Sequence, residues 1–197
     1  MNTENVHSNW LGINGDETYA LNWDINSRSL VWEIGGFEGR WAAQIAEKYN
    51  PNIEIFEPQS WAVARMEERF KDKPKVLIYP YGLWVCDMNL PLYYYETDGA
   101  SVIHEGTRSQ ICTFRDIHTE LEGEIDLCLM NIEGAEYVLL PYLIGTGKIR
   151  NIRQFWCQFH PFMEGGAERK KVIYEKMSIT HRLHWDFFPT AVAWVRK

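Results

Sequence analysis

Apolar and polar positions fall into a repeating order from residue 29 onward. Residues 29–34 form a compact apolar run that ends at Gly35-Gly36, which predicts a strand. Residues 38–49 place Trp41, Ala42, Ile45 and Ala46 at helical spacing, and Asn50-Pro51 stops that helix. Residues 52–57 predict a second strand, ended by Pro58. Residues 59–71 predict a second helix that turns Trp61, Ala64, Met66 and Phe70 to the sheet, and residues 75–79 a third strand. Strands that alternate with helices over short connections specify a parallel sheet covered on both faces.

The style changes between residues 83 and 106. Residues 90–95 read as an aromatic strand and Gly99 as a turn, so a hairpin or an excursion is expected there. Residues 113–121 suggest a short helix, and 125–132 a strongly apolar strand. A helix over 135–144, a strand over 152–159 and a helix over 167–180 follow. Residues 183–187 and 191–195 suit a closing antiparallel hairpin. Residues 1–28 are polar and Asn-rich, an N-terminal arm or cap with room for one short helix. The expectation is an α/β chain: the arm, then one domain over 29–197.

Composition narrows the partners. The 197 residues are 46% hydrophobic and carry a formal net charge of −7. A basic footprint is missing, so a nucleic-acid partner is not expected. Arg169-Lys170-Lys171 reads as the solvated face of a late helix. None of Cys86, Cys112, Cys128 and Cys157 forms a C-x-x-C pair, and three lie in apolar runs. This suits a reducing compartment and no structural zinc. Residues 1–10 lack a signal-peptide pattern, and no apolar run is long enough to span a membrane. A cytoplasmic protein without a membrane partner is expected.

Three segments carry chemistry. Val31-Trp32-Glu33-Ile34-Gly35-Gly36-Phe37-Glu38-Gly39 runs from a strand, through acid-x-Gly-x-x-x-Gly, into a helix. Glycine permits the sharp turn and lets a ligand touch the backbone, while the helix start offers free N–H groups to an anion. A dinucleotide would need G-x-G-x-x-G, and the spacing of Gly35, Gly36 and Gly39 differs. Glu33, inside the strand end, can instead face the amino group of S-adenosylmethionine. Glu57 ends the second strand and can accept hydrogen bonds from ribose hydroxyls, or be an exposed strand-end acid. Asn131 and Glu133, in Leu129-Met130-Asn131-Ile132-Glu133-Gly134-Ala135-Glu136, end a buried strand where ligands of parallel sheets bind. Period-two alternation would set these two on one face, while Glu133 or Glu136 could instead cap the next helix.

These segments resemble the motifs of FkbM-type methyltransferases. V-W-E-I-G-G-F-E-G is similar to the D-x-G-A-N-x-G entry motif, I-E-I-F-E-P to the family's second-strand ending, and I-D-L-C-L-M-N-I-E-G-A-E to I-D-L-L-K-I-D-V-E-G-A-E. The resemblance covers roughly residues 29–195 and is weak in the middle. It implies a Rossmann-like methyltransferase fold with seven mostly parallel strands, the last antiparallel, and helices on both faces. It implies S-adenosylmethionine as cofactor and O-methylation of a hydroxyl, on a sugar, glycan or small metabolite. Carried over, Glu33, Gly35, Gly36, Phe37 and Gly39 would line the methionine part, and Glu57 would hold the ribose. Gly82 and Leu83, after the third strand, would approach the adenine. Asn131 and Glu133 would lie near the reaction centre. Three departures stand out: Glu33 for the first Asp, Gly36-Phe37 for Ala-Asn, and Asn131 for the Asp of the third motif.

Removal of a hydroxyl proton calls for a base. Glu133 follows the fourth strand and His160 the fifth, and the ordinary histidine pKa of about 6.5 favours His160. A loop histidine bonded to backbone is the alternative. His104, His181 and His184 read as surface or structural. No metal is expected, since Asn131 replaces the acid. Trp84 and Tyr93-Tyr94-Tyr95 could stack on a ligand or pack a hairpin on its sheet. Two other readings remain open: a degenerate member that serves as a cofactor-binding or assembly module, and a nucleotide-dependent oxidoreductase.

Overall fold

The computed structural model describes residues 10–94, 99–103, 105–160, 165–188 and 190–197. Expectations for residues 1–9, Tyr95 and His104 lie outside the described residues. The chain runs through Leu30–Ile34 (β1), Arg40–Tyr49 (α1), Asn52–Phe56 (β2), Ser60–Phe70 (α2) and Val76–Tyr79 (β3). Gly82–Trp84 (β4), Met88–Tyr94 (β5), Ala100–Ser101 (β6) and Arg108–Asp116 (β7) come next, then the short helix Ile117–Glu120 (α3). Ile125–Met130 (β8), Glu136–Gly145 (α4), Ile152–Cys157 (β9), Gly166–Thr180 (α5), His181–Phe187 (β10) and Ala191–Arg196 (β11) complete it.

Among the described residues the strands form two sheets. The larger has seven strands in the order β10-β11-β9-β8-β1-β2-β3. Its pairs are parallel from β3 through β9, and β11 lies antiparallel between β9 and β10. This is the α/β architecture expected from the sequence, with the closing hairpin in place. The chain winds outward from β1 to β3, then returns to β8 on the other side of β1. Such a reversal opens a crevice beyond the carboxyl ends of β1 and β8.

Period-two alternation sorts the large sheet's side chains onto two faces. Trp32, Ile34, Cys128, Met130, Phe155 and Cys157 pack with α4 and α5. Val31, Ile53, Ile55, Leu127, Leu129 and Trp156 pack with α1 and α2. The second face is extended by Trp10, Ala20, Trp23 and Ile25 from the N-terminal segment. Trp10 is 2% exposed and meets Phe187 edge-on at 5.3 Å between ring centroids. The indoles of Trp23 and Trp41 both donate to the Ala20 carbonyl, at 2.7 and 2.8 Å.

The smaller sheet has four strands in the order β4-β7-β5-β6. The excursion is therefore a hairpin, β5 with β7, and more. The helix expected over 113–121 is corrected: residues 113–116 finish β7, and only Ile117–Glu120 is helical. Burial alternates there, with Cys112 and Phe114 inside and Thr113 and Arg115 outside, as a strand requires. Asp116 then caps the short helix by accepting the His118 amide at 2.8 Å. Among the described residues, no helix is long and apolar enough to cross a membrane.

Candidate functional site

The turn from β1 into α1 is built by close approach. Gly35 has φ +86°, and a Cβ there would overlap the carbonyl oxygen of Asn131. Gly36 lies against Ile55, and Gly39, at φ +67°, against Phe70. Phe37 adopts φ +49°, a conformation uncommon for a bulky residue. Its amide donates to Glu57 Oε2 at 2.8 Å, and the Gln59 amide donates to Glu57 Oε1 at 2.9 Å. Glu57 is buried, and burial raises its pKa against the opposing pull of these amides.

Two cavities open at this turn. The larger, about 270 Å³, is lined on the crevice side by Gly35, Phe37, Glu57, Gln59, Asn131 and Glu133. The small sheet, with the residue that follows β6, adds Gly82, Leu83, Trp84, Leu92, Val102 and Phe114 to its walls. The second, about 210 Å³, contains Glu33, Gly36, Glu38, Arg40, Trp156 and Gln158, with Asp16 from the N-terminal segment. Gly35, Phe37 and Asn131 line both, so the cavities meet at the glycine turn.

Glu33 shares the sheet face of Val31, beneath α1, and is 3% exposed. Its Oε2 is buried without a hydrogen-bond partner within the chain. Burial raises its pKa well above the ordinary carboxyl value, and the nearby Glu57 raises it further. An orphaned buried carboxyl oxygen is costly unless a ligand completes it. Trp156 Nε1 and Asn131 Oδ1, both on these walls, are likewise buried without a partner within the chain. Glu38 differs: it pairs with Arg40 at 2.9 Å and with Arg65, and hydrogen bonds from both hold its pKa low.

After β8 the chain turns sharply, with Glu133 at φ +52° and Gly134 at φ +96°. Asn131 and Glu133 both line the larger cavity, but this turn brings them there, not the strand alternation expected. β8 and β9 are parallel neighbours, which sets His160 beside Glu133. His160 Nε2 lies 3.3 Å from Glu133 Oε2, and Nδ1 lies 2.9 Å from Glu136 Oε1. Burial works against a proton on the ring, but the hydrogen bonds to Glu133 and Glu136 outweigh it and push the pKa to about 9. The imidazole therefore holds a proton more tightly than an ordinary histidine, because two carboxyl groups flank it.

Other expectations divide. Gly82 and Leu83 line the larger cavity, as does Trp84. Gly39 lines neither cavity. Tyr93 and Tyr94 lie in β5 away from the walls, although their neighbour Leu92 contributes. His181 is buried, its Nε2 2.9 Å from the Ile152 carbonyl and its Nδ1 2.7 Å from the Thr180 hydroxyl, which is a structural setting. Among the described residues, no cluster of three or more His, Cys, Asp or Glu suits a metal ion. Asp16, Leu92, Phe114, Trp156 and Gln158 were not anticipated, and no local motif marks them.

No family model matches the sequence, and no curated protein matches it. Solved structures do match in fold. The methyltransferase FkbM of Methylobacillus flagellatus is 12% identical with a TM-score of 0.58, over 86% of this chain and 44% of that one. The 23S rRNA methyltransferase ErmE is 9% identical at 0.54, over 93% and 68%. The S-adenosylhomocysteine-bound methyltransferase PaMTH1 of Podospora anserina is 12% identical at 0.50, over 86% and 72%. The chain thus spans less than half the length of the first. ErmE, a 23S rRNA methyltransferase by name, shares this fold. That corrects the expectation drawn from charge: a net charge of −7 does not remove nucleic acid from the partner classes. The common architecture is the Rossmann-like methyltransferase fold, and this chain has it.

Proposed function

We propose that this chain is an S-adenosylmethionine-dependent methyltransferase and that its acceptor group is a hydroxyl. The observation that carries the reading is the pair of cavities joined at Gly35, with one buried acid in each: Glu33, whose Oε2 has no hydrogen-bond partner within the chain, and Glu57, held by two amides. A molecule with a cationic amino acid at one end and a nucleoside at the other suits that division. Glu33 would take the amino group, with Gly35, Gly36 and Phe37 along the methionine part and Gly39 shaping the turn behind them. Glu57 would take the ribose, and Gly82 and Leu83 the adenine edge. The cofactor supplies an electrophilic methyl group on a positively charged sulfur.

The FkbM-like motifs support a hydroxyl acceptor, on a sugar, glycan or small metabolite. As the hydroxyl oxygen bonds to the methyl carbon, its proton must leave. Glu133 is the group to receive it, because His160 already carries a proton. His160 would then act as a fixed cation beside Glu133, and Asn131, at the junction of the cavities, would orient the acceptor through its carboxamide. A second reading rests on Asn131 itself, whose carboxamide accepts no proton where the FkbM pattern has an acid: a module that binds cofactor without turnover.

Calorimetry with S-adenosylhomocysteine, followed by transfer of labelled methyl to sugars, hydroxylated metabolites and RNA, tests both. Uptake and labelling of a hydroxyl are expected. Uptake without labelling of any acceptor favours the module, and failure to bind the nucleoside refutes both readings.

A further inference from the structure

We infer that Glu136 is a positioning residue for the proposed reaction: it fixes the His160 ring, and the ring in turn fixes the Glu133 carboxylate at the cavity wall. The inference rests on the reading of Glu133 as the group that receives the acceptor proton. It assigns a role to a residue that lines neither cavity.

Glu136 is fully buried in the first turn of α4. Its Oε2 accepts the Gly134 amide at 2.9 Å. Its Oε1 takes the His160 amide at 2.8 Å and stands 2.9 Å from His160 Nδ1. One carboxylate thus ties the turn after β8 to the segment after β9, by backbone and by side chain. With Nδ1 turned to Glu136, the far side of the ring, Nε2, reaches Glu133 at 3.3 Å. A carboxylate behind an imidazole sets both the ring's orientation and its protonation, so the other nitrogen meets a partner as a donor.

Glu133 needs such an anchor. Its backbone sits at φ +52°, a conformation that surrounding contacts must hold in place for a residue other than glycine. Its side chain is 30% exposed at the cavity, and so has room to swing when the ring behind it moves. Helix capping alone would account for the contact with Gly134. It would not account for the carboxylate's second oxygen, which is given to the His160 ring and amide.

The test uses the full chain with Glu136→Gln and Glu136→Asp. Gln keeps the shape but swaps an acceptor for a donor, while Asp keeps the charge. In the unsubstituted protein, NMR titration of the His160 imidazole should show a pKa well above 6.5 and an Nδ1 proton shifted downfield by its carboxylate partner. In Glu136→Gln the pKa should fall by about one unit or more. Turnover should fall about a hundredfold, as misplacement of a reacting group by an ångström does, while affinity for S-adenosylhomocysteine stays within about twofold. Glu136→Asp should recover part of both losses.

A His160 that titrates near 6.5 in the unsubstituted protein overturns the inference, and this reading needs no variant to fold. So does a folded Glu136→Gln variant with unchanged His160 titration and unchanged turnover. If the protein neither binds the nucleoside nor transfers methyl, the proposed function fails by itself, and the titration still reports on the link from Glu136 to His160.

Discussion

The Ser101 hydroxyl donates a 2.7 Å hydrogen bond to the carbonyl of Glu133. Ser101 is fully buried in β6 of the small sheet, and its oxygen also accepts the Ile103 amide at 3.2 Å. Glu133 belongs to the turn after β8 of the large sheet. The small sheet that walls the cavity is therefore fastened to the residue proposed to receive the proton. Ser101→Ala leaves that carbonyl without its donor and should cost about 1–3 kcal/mol of stability in urea unfolding. Turnover should fall by a larger factor than cofactor affinity, because the bond acts on Glu133 and not on Glu33 or Glu57. Equal losses in both constants would count against the fastening.

Glu33→Gln separates binding from folding. The orphaned carboxyl oxygen is a burden on the folded protein and, in the proposed function, the anchor for a cationic amino group. The variant should melt at a higher temperature than the parent, since a buried carboxyl that resists ionisation is replaced by a neutral group of the same shape. Calorimetry should show S-adenosylmethionine affinity reduced about tenfold to a hundredfold, the worth of a hydrogen bond to a charged group. A variant that binds the cofactor as tightly as the parent would remove Glu33 from the site.

His160 gives stability a pH dependence of known sign. Its pKa is raised from 6.5 to about 9 by folding, so the folded state holds the proton more tightly than the unfolded chain. The resulting stabilisation is complete below about pH 6.5 and is lost as pH rises through about 9. Its size is about 1–3 kcal/mol. Glu33 acts in the same sense, its contribution complete below about 4.5 and lost as pH rises through its raised pKa. Urea melts across the upper window should decline for the parent and flatten for His160→Gln; parallel declines would contradict the assignment to His160.

Gly35→Ala tests the turn. Positive φ and the Asn131 carbonyl both oppose a methyl group there. A loss of about 2 kcal/mol is expected in urea unfolding, together with loss of S-adenosylhomocysteine uptake by calorimetry. A variant of parental stability would mean that the two strand ends do not approach as closely as described.

The large sheet was legible because each strand announces itself twice: as an apolar run, and as the partner of a helix with Gly, Asn or Pro at its end. The placement of Glu33 and Glu57 at the cavities was legible for the same reason, since each lies at the end of a parallel strand. The small sheet was not. β5 carries exposed residues at both Met88 and Asn89, which blurs alternation, and β7 runs directly into a short helix at Ile117, which hides where the strand ends. Residues whose role comes from distant segments stayed hidden as well. Ser101 meets Glu133 across 32 positions, and Asp16 reaches Glu33's cavity from the N-terminal segment. The place of His160 after the fifth parallel strand was legible, but its charge depends on Glu133 and Glu136 converging from another loop, and no local pattern encodes that.

The cluster that joins Trp10 to Trp156, Trp185 and Phe187 has a consequence for synthesis. One layer of the protein draws its tryptophans from the segment before β1 and from β9 and β10, so it cannot close until β10 has left the ribosome. A nascent chain stalled before β10 would hold Trp10 and Trp23 without their cover. Such an intermediate should bind a dye specific for exposed apolar surface, or a chaperone, and release it once β10 and β11 emerge.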